Sequence, residues 1–200
     1  MPCSPTGGGC LDARRSVPAR QLGPPGPDRD ALLRMLRSAV RVPDHGRRVP
    51  FRFLRIAGAA RAALGELLVA RSLQRDPDAS PAVLDKERMR FAHAPLVVAV
   101  VAVLGPDDKI PESERFSCAS CVCFALLQAA QAEGFGAQWL TGWPAYDPQV
   151  LAALGLAEHE RIAGFVHIGT ARMQAPERDR PDPAALLTDL APGPAPGPLG

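Results

Sequence analysis

The sequence predicts one domain that interleaves helices and strands, of the α/β or α+β class. Three observations carry this. Apolar residues recur at helical spacing in residues 28–40 and 58–74. Residues 96–104 read Leu-Val-Val-Ala-Val-Val-Ala-Val-Leu, apolar on both faces, which fits a strand inside a sheet. Finally, helical and extended patterns alternate along the chain. With 200 residues, 46% of them apolar, the chain can bury a core of its own.

The elements follow in order. Residues 21–27, rich in Pro and Gly, form a rigid loop. Asp28 is placed to cap a helix to residue 40, whose positions Leu32, Leu33, Leu36, Ala39 and Val40 share a face. Pro43 ends that helix, and Pro43-Asp44-His45-Gly46 reads as a turn. Residues 51–57 are strand-like. A second amphipathic helix covers 58–74, with Ala60, Ala63, Leu64, Leu67 and Leu68 as its stripe. A short helix is expected over 82–92, the buried strand over 96–104 and a loop over 106–111. A long helix then spans 112–133, with Gly134 well placed as its C′ residue. Residues 135–140 can form a strand. Asp147-Pro148 opens a helix that Gly155 closes, and 162–169 is the last strand. No internal repeat is visible. The expected organisation is a disordered head over 1–13, a domain over 14–175 and a Pro-rich extended or disordered tail over 176–200.

Composition excludes several classes. The formal charge of +2 is too small to argue for nucleic acid or an anionic membrane. The first ten residues lack the apolar core of a signal peptide. The longest uncharged run, 116–132, is short for a membrane span and carries Ser117, Ser120, Gln128 and Gln131. A cytoplasmic protein is expected. Cys3 and Cys10 lie in the head, whereas Cys118, Cys121 and Cys123 crowd one helical segment. Cys118 and Cys121 share a helix face. A zinc or iron–sulfur site needs about four convergent ligands, and no second Cys pair or His-x-x-x-His is present. Small buried thiols are therefore expected, and no metal. A Cys-based redox or metal-binding module is the rival from a different class.

Four segments could carry chemistry. Arg14-Arg15-Ser16 offers two guanidiniums and a hydroxyl, a set suited to a phosphomonoester, although alone it reads as a solvated charge pair. His45 lies in a turn after Arg41 and could donate to a phosphate oxygen; alone it is an ordinary turn residue. In Gly134-Phe135-Gly136-Ala137-Gln138-Trp139-Leu140-Thr141-Gly142 the glycines let backbone approach a planar ligand, the bland alternative being a helix cap followed by a core strand. In residues 162–170, His167 alternates with apolar neighbours and reads as a strand histidine rather than a catalyst.

In this order, Arg-Arg-Ser, Pro-Asp-His, a buried strand, a long apolar helix, Gly-Phe-Gly-x-x-Trp-x-Thr-Gly and Ile-x-Gly-Phe-x-x-x-Gly-Thr, the segments resemble the nitroreductase family. The resemblance is to its compact NAD(P)H nitroreductase branch and covers about residues 14–173. It implies an α+β nitroreductase-like fold, a central mixed sheet flanked by helices, and a homodimer with FMN at the subunit interface. The FMN-binding residues it implies are Arg14, Arg15 and Ser16; Arg41 and His45, in part from the partner subunit; and Trp139, Leu140 and Thr141. Ala129, Ala130, Gln131, Ala132, Glu133 and Gly134 correspond to the suggested nicotinamide dinucleotide region. The implied activity passes hydride from NAD(P)H through FMN to a nitroaromatic, quinone or reactive carbonyl by a ping-pong scheme, with no protein residue as the catalyst. A flavin-binding protein of the same fold with little turnover is the alternative.

The chain departs from that pattern. Relatives usually carry Trp-Arg-Ser where it has Trp139-Leu140-Thr141, which removes a cation. Lys-Ser after Pro-Asp-His is Gly46-Arg47 here, so Arg47 or Arg48 could restore a charge. The usual Gln-Pro-Trp is Val49-Pro50-Phe51. The Leu-rich helix before Arg-Arg-Ser is reduced to Leu11-Asp12-Ala13 after Gly7-Gly8-Gly9.

Overall fold

The structure, a computed structural model, describes residues 9–190. The expectations for residues 1–8 and 191–200 lie outside it. The chain forms α1 (Gly9–Asp12), β1 (Leu22–Gly23), α2 (Arg29–Ala39), β2 (Phe51–Ala57), α3 (Ala59–Arg75), α4 (Pro81–Met89), β3 (Leu96–Val103), α5 (Glu112–Ala132), β4 (Gly136–Leu140), α6 (Pro148–Ala153), β5 (Glu160–Ala171) and α7 (Pro183–Leu186). Local chemistry sets the boundaries. Asp28 accepts from the Ala31 amide at 2.7 Å and caps α2. Ser80 and Asp147 cap α4 and α6 in the same way, each followed by a helix-starting proline. Gly134, at φ 83°, ends α5 in the left-handed region.

β5 is the centre of the sheet. β3 pairs along one edge, from Leu96 opposite Ile168 to Val103 opposite Glu160. β4 pairs along the other, from Gly136 opposite Gly169 to Leu140 opposite Phe165. β2 lies outside β3, and β1 adds two residues at the end of β5. Every pairing is antiparallel, so among the described residues the sheet is antiparallel rather than mixed. The reason is the insertion of β5. β3 and β4, joined through α5, run in the same direction, but β5 separates them, so no parallel pair is hydrogen-bonded.

β3 is covered on both sides, as its unbroken apolar run requires. Val98, Val100 and Ala102 face α2 and α5 with Leu126, Ala130 and Met35. Val97, Ala99 and Val101 face Leu64, Leu68 and Phe91 on the side of α3 and α4. Two stripes differ from expectation. On α2, Leu32, Met35 and Ala39 are buried, whereas Leu33 and Val40 are 38% and 42% exposed. On α3, Ala60 and Ala63 face solvent while Gly65 and Val69 are buried. Gly65 takes the inward position because the carbonyl of Arg88 packs directly against it.

α5 has apolar groups all round. Its inner side fills the core, and Phe116, Cys121 and Phe124 remain exposed on its outer side. Within the described residues no helix is long and apolar enough to cross a membrane.

Candidate functional site

Arg14-Arg15-Ser16 leads from α1 into the edge of the sheet. The Val17 amide donates to the Ala137 carbonyl at 3.0 Å, which anchors the segment beside β4. The Arg15 amide donates to Gln131 Oε1 at 3.3 Å, near the end of α5. Arg14 Nη1 donates to Ser16 Oγ at 3.2 Å, and its guanidinium lies 6.0 Å from the Phe124 ring centroid. The two arginines and the serine therefore share one corner.

The tail closes that corner. Pro176, Arg178 and Arg180 line a small recess with Arg14, Arg15 and Ser16. Glu177 pairs with Arg15 and, at 3.3 Å, with Arg180. Four arginines thus line one recess, two of them paired with Glu177, a donor set suited to a phosphate dianion. Arg178 and Arg180 were missed in the sequence because Pro-rich composition marked the tail as extended. The signal available was Arg-Asp-Arg-Pro itself, a second basic run. Beside the recess lies a cavity of about 510 Å³, bordered by Arg15, Gln131, Gly134 and Met173.

Ala129 and Ala130, in the suggested dinucleotide region, are instead buried in the core. Glu133 is engaged by Arg34 at 2.8 Å, and Ala132 faces solvent. Only Gln131 and Gly134 of that region reach the cavity.

β4 carries Trp139 and Leu140 away from the arginine corner. At about 3.3 Å per residue, Thr141 lies roughly 13 Å beyond the Ala137 contact. Trp139 is fixed by its Nε1, which donates to the Ala163 carbonyl at 3.2 Å. Gly142 follows at φ 83° and ψ −177°, a conformation that favours glycine. The Nη1 atom of Arg90 lies 3.4 Å from where a Cβ on Gly142 would sit.

Arg41 and His45 do not join this group within one chain. Both are exposed. His45 Nδ1 meets Glu114 Oε2 at 2.9 Å, at the start of α5. Gln131, which holds Arg15, is seventeen residues further along α5, about 26 Å at 1.5 Å per residue. The His45 turn is braced by Asp44, which accepts from the Arg48 and Val49 amides at 3.0 and 2.8 Å. Arg48 does not supply a free charge, because its Nε is held by Asp107 at 2.6 Å. That bond, with two backbone amides, pulls the Asp107 pKa far below the usual range. A cavity of about 330 Å³ lies beside the turn, lined in part by His45, Glu114, Cys118 and Cys121.

Cys118 and Cys123 are poor redox candidates, whereas Cys121, expected among the buried thiols, is exposed. Burial pushes Cys118 up to about 11 and Cys123 up to about 12, so both stay protonated at neutral pH. Among the described residues no three His, Cys, Asp or Glu side chains converge as metal ligands would.

The description "Nitroreductase family" matches residues 11–170. The Escherichia coli (strain K12) protein named "Putative NAD(P)H nitroreductase YdjA" is 34% identical over 176 residues, 88% of this chain and 94% of that protein. This chain belongs to the nitroreductase family. Membership of that family makes it an oxidoreductase. Solved structures agree on the fold. A nitroreductase-like family protein from Bacillus cereus superposes with a TM-score of 0.78 at 22% identity, covering 96% of this chain and all (100%) of that one. A nitroreductase from Bacteroides fragilis NCTC 9343, solved with bound FMN, gives 0.65 at 21% identity, covering 91% and 97%. The nitroreductase fold predicted from the motifs is therefore the fold observed, with the sheet corrected to antiparallel.

Proposed function

We propose that this chain is an FMN-dependent oxidoreductase that passes hydride from NAD(P)H to an electron-poor small molecule. Nitroaromatics, quinones and reactive carbonyl compounds are the acceptor classes. Residues 14–175 form the body of the flavin-binding unit, and the segment that follows adds Arg178 and Arg180 to it. The observation that carries the reading is the corner where Arg14, Arg15 and Ser16 meet Arg178 and Arg180.

The residues present fit the cofactor at both ends. The arginine corner would hold the phosphate by charge-assisted hydrogen bonds. Some 13 Å along β4, the backbone at Thr141 and Gly142 offers a close approach, with no side chain at Gly142. Trp139, anchored on Ala163, keeps that backbone in place. FMN would supply the hydride chemistry, accepting two electrons from NAD(P)H and delivering them to the acceptor in a separate half-reaction. The chain's part is to bind, orient and exclude. Gln131 and Gly134 border the 510 Å³ cavity by which NAD(P)H would approach. None of the roles requires a side chain as acid or base.

The reading includes a cytoplasmic homodimer. The His45 turn lies by Glu114 at the start of α5, whereas Arg15 is held by Gln131 about 26 Å further along, so one chain does not bring that turn to the Arg15 end of the corner. A second copy would bring its own turn to this corner. The exposed Phe116 and Phe124 on α5, with Leu33 and Val40 on α2, give the apolar surface such a contact needs.

The purified protein should be yellow, with about one FMN per subunit, and should elute as a dimer. It should oxidise NADPH with menadione or a nitrofuran. A colourless protein that cannot take up FMN sinks the reading. Leu140, where relatives carry Arg, favours one alternative, a flavin-binding protein with little turnover. A yellow protein without NADPH oxidation would select it.

A further inference from the structure

Arg90, which follows α4, presents a hydrogen-bonding edge that no described residue uses. Its guanidinium is clamped on the opposite edge. Nε donates to Glu87 Oε2 at 2.7 Å and Nη2 to Glu87 Oε1 at 2.6 Å. This bidentate pair leaves Nη1 without a partner among the described residues. Nη1 lies in the direction a side chain on Gly142 would take, 3.4 Å from the position of its Cβ. With glycine at 142, this cationic donor stands directly beside the Thr141–Gly142 backbone, with no side chain at 142 to cover it.

The clamp is itself held by the segment it faces. Trp143 Nε1 donates to Glu87 Oε2 at 3.2 Å. Trp143 is two residues beyond Thr141, so one short stretch carries the candidate flavin residues and fixes the carboxylate that aims Arg90. Glu87 is only 6% exposed. Its burial would raise its pKa, but the Arg90 hydrogen bonds and charge, with the Trp143 N–H, outweigh burial and hold it below the ordinary value. It is a carboxylate at neutral pH.

We propose that Arg90 is a further cofactor-contacting residue, its Nη1 donating to a flavin acceptor beside Thr141 and Gly142, with Glu87 as the positioning residue. The inference rests on the flavin reading above. It accounts for Leu140: the guanidinium reaches the same stretch from α4 instead of from β4. It also separates two sites on the ligand. Arg14, Arg15, Arg178 and Arg180 address the phosphate, whereas Arg90 addresses the ring system, which riboflavin shares with FMN.

The test measures FMN and riboflavin affinity by flavin fluorescence, and the flavin reduction potential. The proteins are the parent, Arg90→Met, Glu87→Gln and Arg90→Met with Leu140→Arg. Arg90→Met is expected to weaken both ligands roughly tenfold or more, the loss of one charge-assisted bond. Its potential should fall, because a cationic donor favours the electron-rich reduced ring. Glu87→Gln should move both quantities the same way by less, and Leu140→Arg should restore part of each. A folded Arg90→Met protein with parental affinity and potential overturns the proposal. So does a loss confined to FMN, which would place Arg90 at the phosphate. Should Arg90→Met fail to fold, Arg90→Gln carries the same expectation. A parent that takes up neither flavin overturns the flavin reading itself, and with it this one.

Discussion

The indole of Trp139 lies across Gly164, filling the space that a Cβ at 164 would need, while its Nε1 donates to the carbonyl of Ala163. The two residues sit on adjacent strands, and the glycine allows a large ring to cross the ladder. Gly164→Ala should push the indole off β5 and break that hydrogen bond. Overpacking of this kind costs about 1–3 kcal/mol. Thermal unfolding should show a drop of roughly 2–4 °C per kcal/mol for a chain of this size. Because Trp139 holds the backbone of Leu140 and Thr141, flavin affinity should fall as well. An alanine variant with unchanged melting temperature would mean the ring moves aside without cost.

Gly65 makes a second close approach, and here the neighbour cannot rotate away. A Cβ at this position would run into the backbone carbonyl of Arg88. α3 and α4 are packed through that contact, so Gly65→Ala must separate two helices rather than shift a side chain. Helix propensity alone would make the alanine favourable by up to about 1 kcal/mol. Steric overlap should reverse that sign, giving a net loss of about 2 kcal/mol in denaturant unfolding. A stabilised variant would show that the helices are not in contact there.

His167 predicts an acid-sensitive fold. It is 1% exposed, its ring stacks on Phe91 with centroids 5.8 Å apart, and its Nδ1 is buried without a partner among the described residues. Burial, then the positive charge of His93 and Arg90, pushes its pKa down to about 4. An unfolded histidine titrates near 6.5. Between these values the unfolded chain binds a proton that the folded chain refuses. The contribution of the neutral ring is therefore complete above pH 6.5, declines as pH falls, and levels off near pH 4. The full step is about 3 kcal/mol. Glu160, lowered to about 2 by its hydrogen bonds to Arg52, acts over a lower window, losing its contribution only from about pH 4.5 down. Stability curves at pH 7.0 and 4.5 should thus separate the two. His167→Leu should flatten the upper step and leave the lower one.

The parts legible in sequence were those set by local chemistry. The run from Leu96 could only be a strand covered on both sides, and Asp28, Gly134 and Asp147 marked helix ends by mechanisms that act within a few residues. What was not legible depended on contacts between distant segments. Nothing near Leu22 and Gly23 announces a strand; they become one because Ala171 and Thr170 pass beside them. The antiparallel sheet follows from β5 entering between β3 and β4, which no local pattern encodes. On α2, Met35 replaced Leu33 inside because the position of α5 decides which side of the stripe is covered. At the site, Arg14-Arg15-Ser16 could be read, but Arg178 and Arg180 were hidden in a tail whose return is a tertiary event. Arg90 carries no motif at all; its meaning comes from Glu87 and Gly142.

The arginine corner gives the most selective prediction, because one ligand can be offered with and without its phosphate. Arg15→Ala and Arg180→Ala should each weaken FMN by the value of one charge-assisted contact, about 1.5–3 kcal/mol or roughly 10- to 100-fold. Riboflavin affinity should hardly change, since that ligand presents no anion to the corner. Glu177 competes for Arg15 and Arg180, so Glu177→Gln should tighten FMN while leaving riboflavin alone. Added salt should weaken FMN more than riboflavin, as expected for partly exposed charges. Equal losses for the two flavins would assign these arginines to folding, because only a phosphate contact can distinguish ligands that share the same ring.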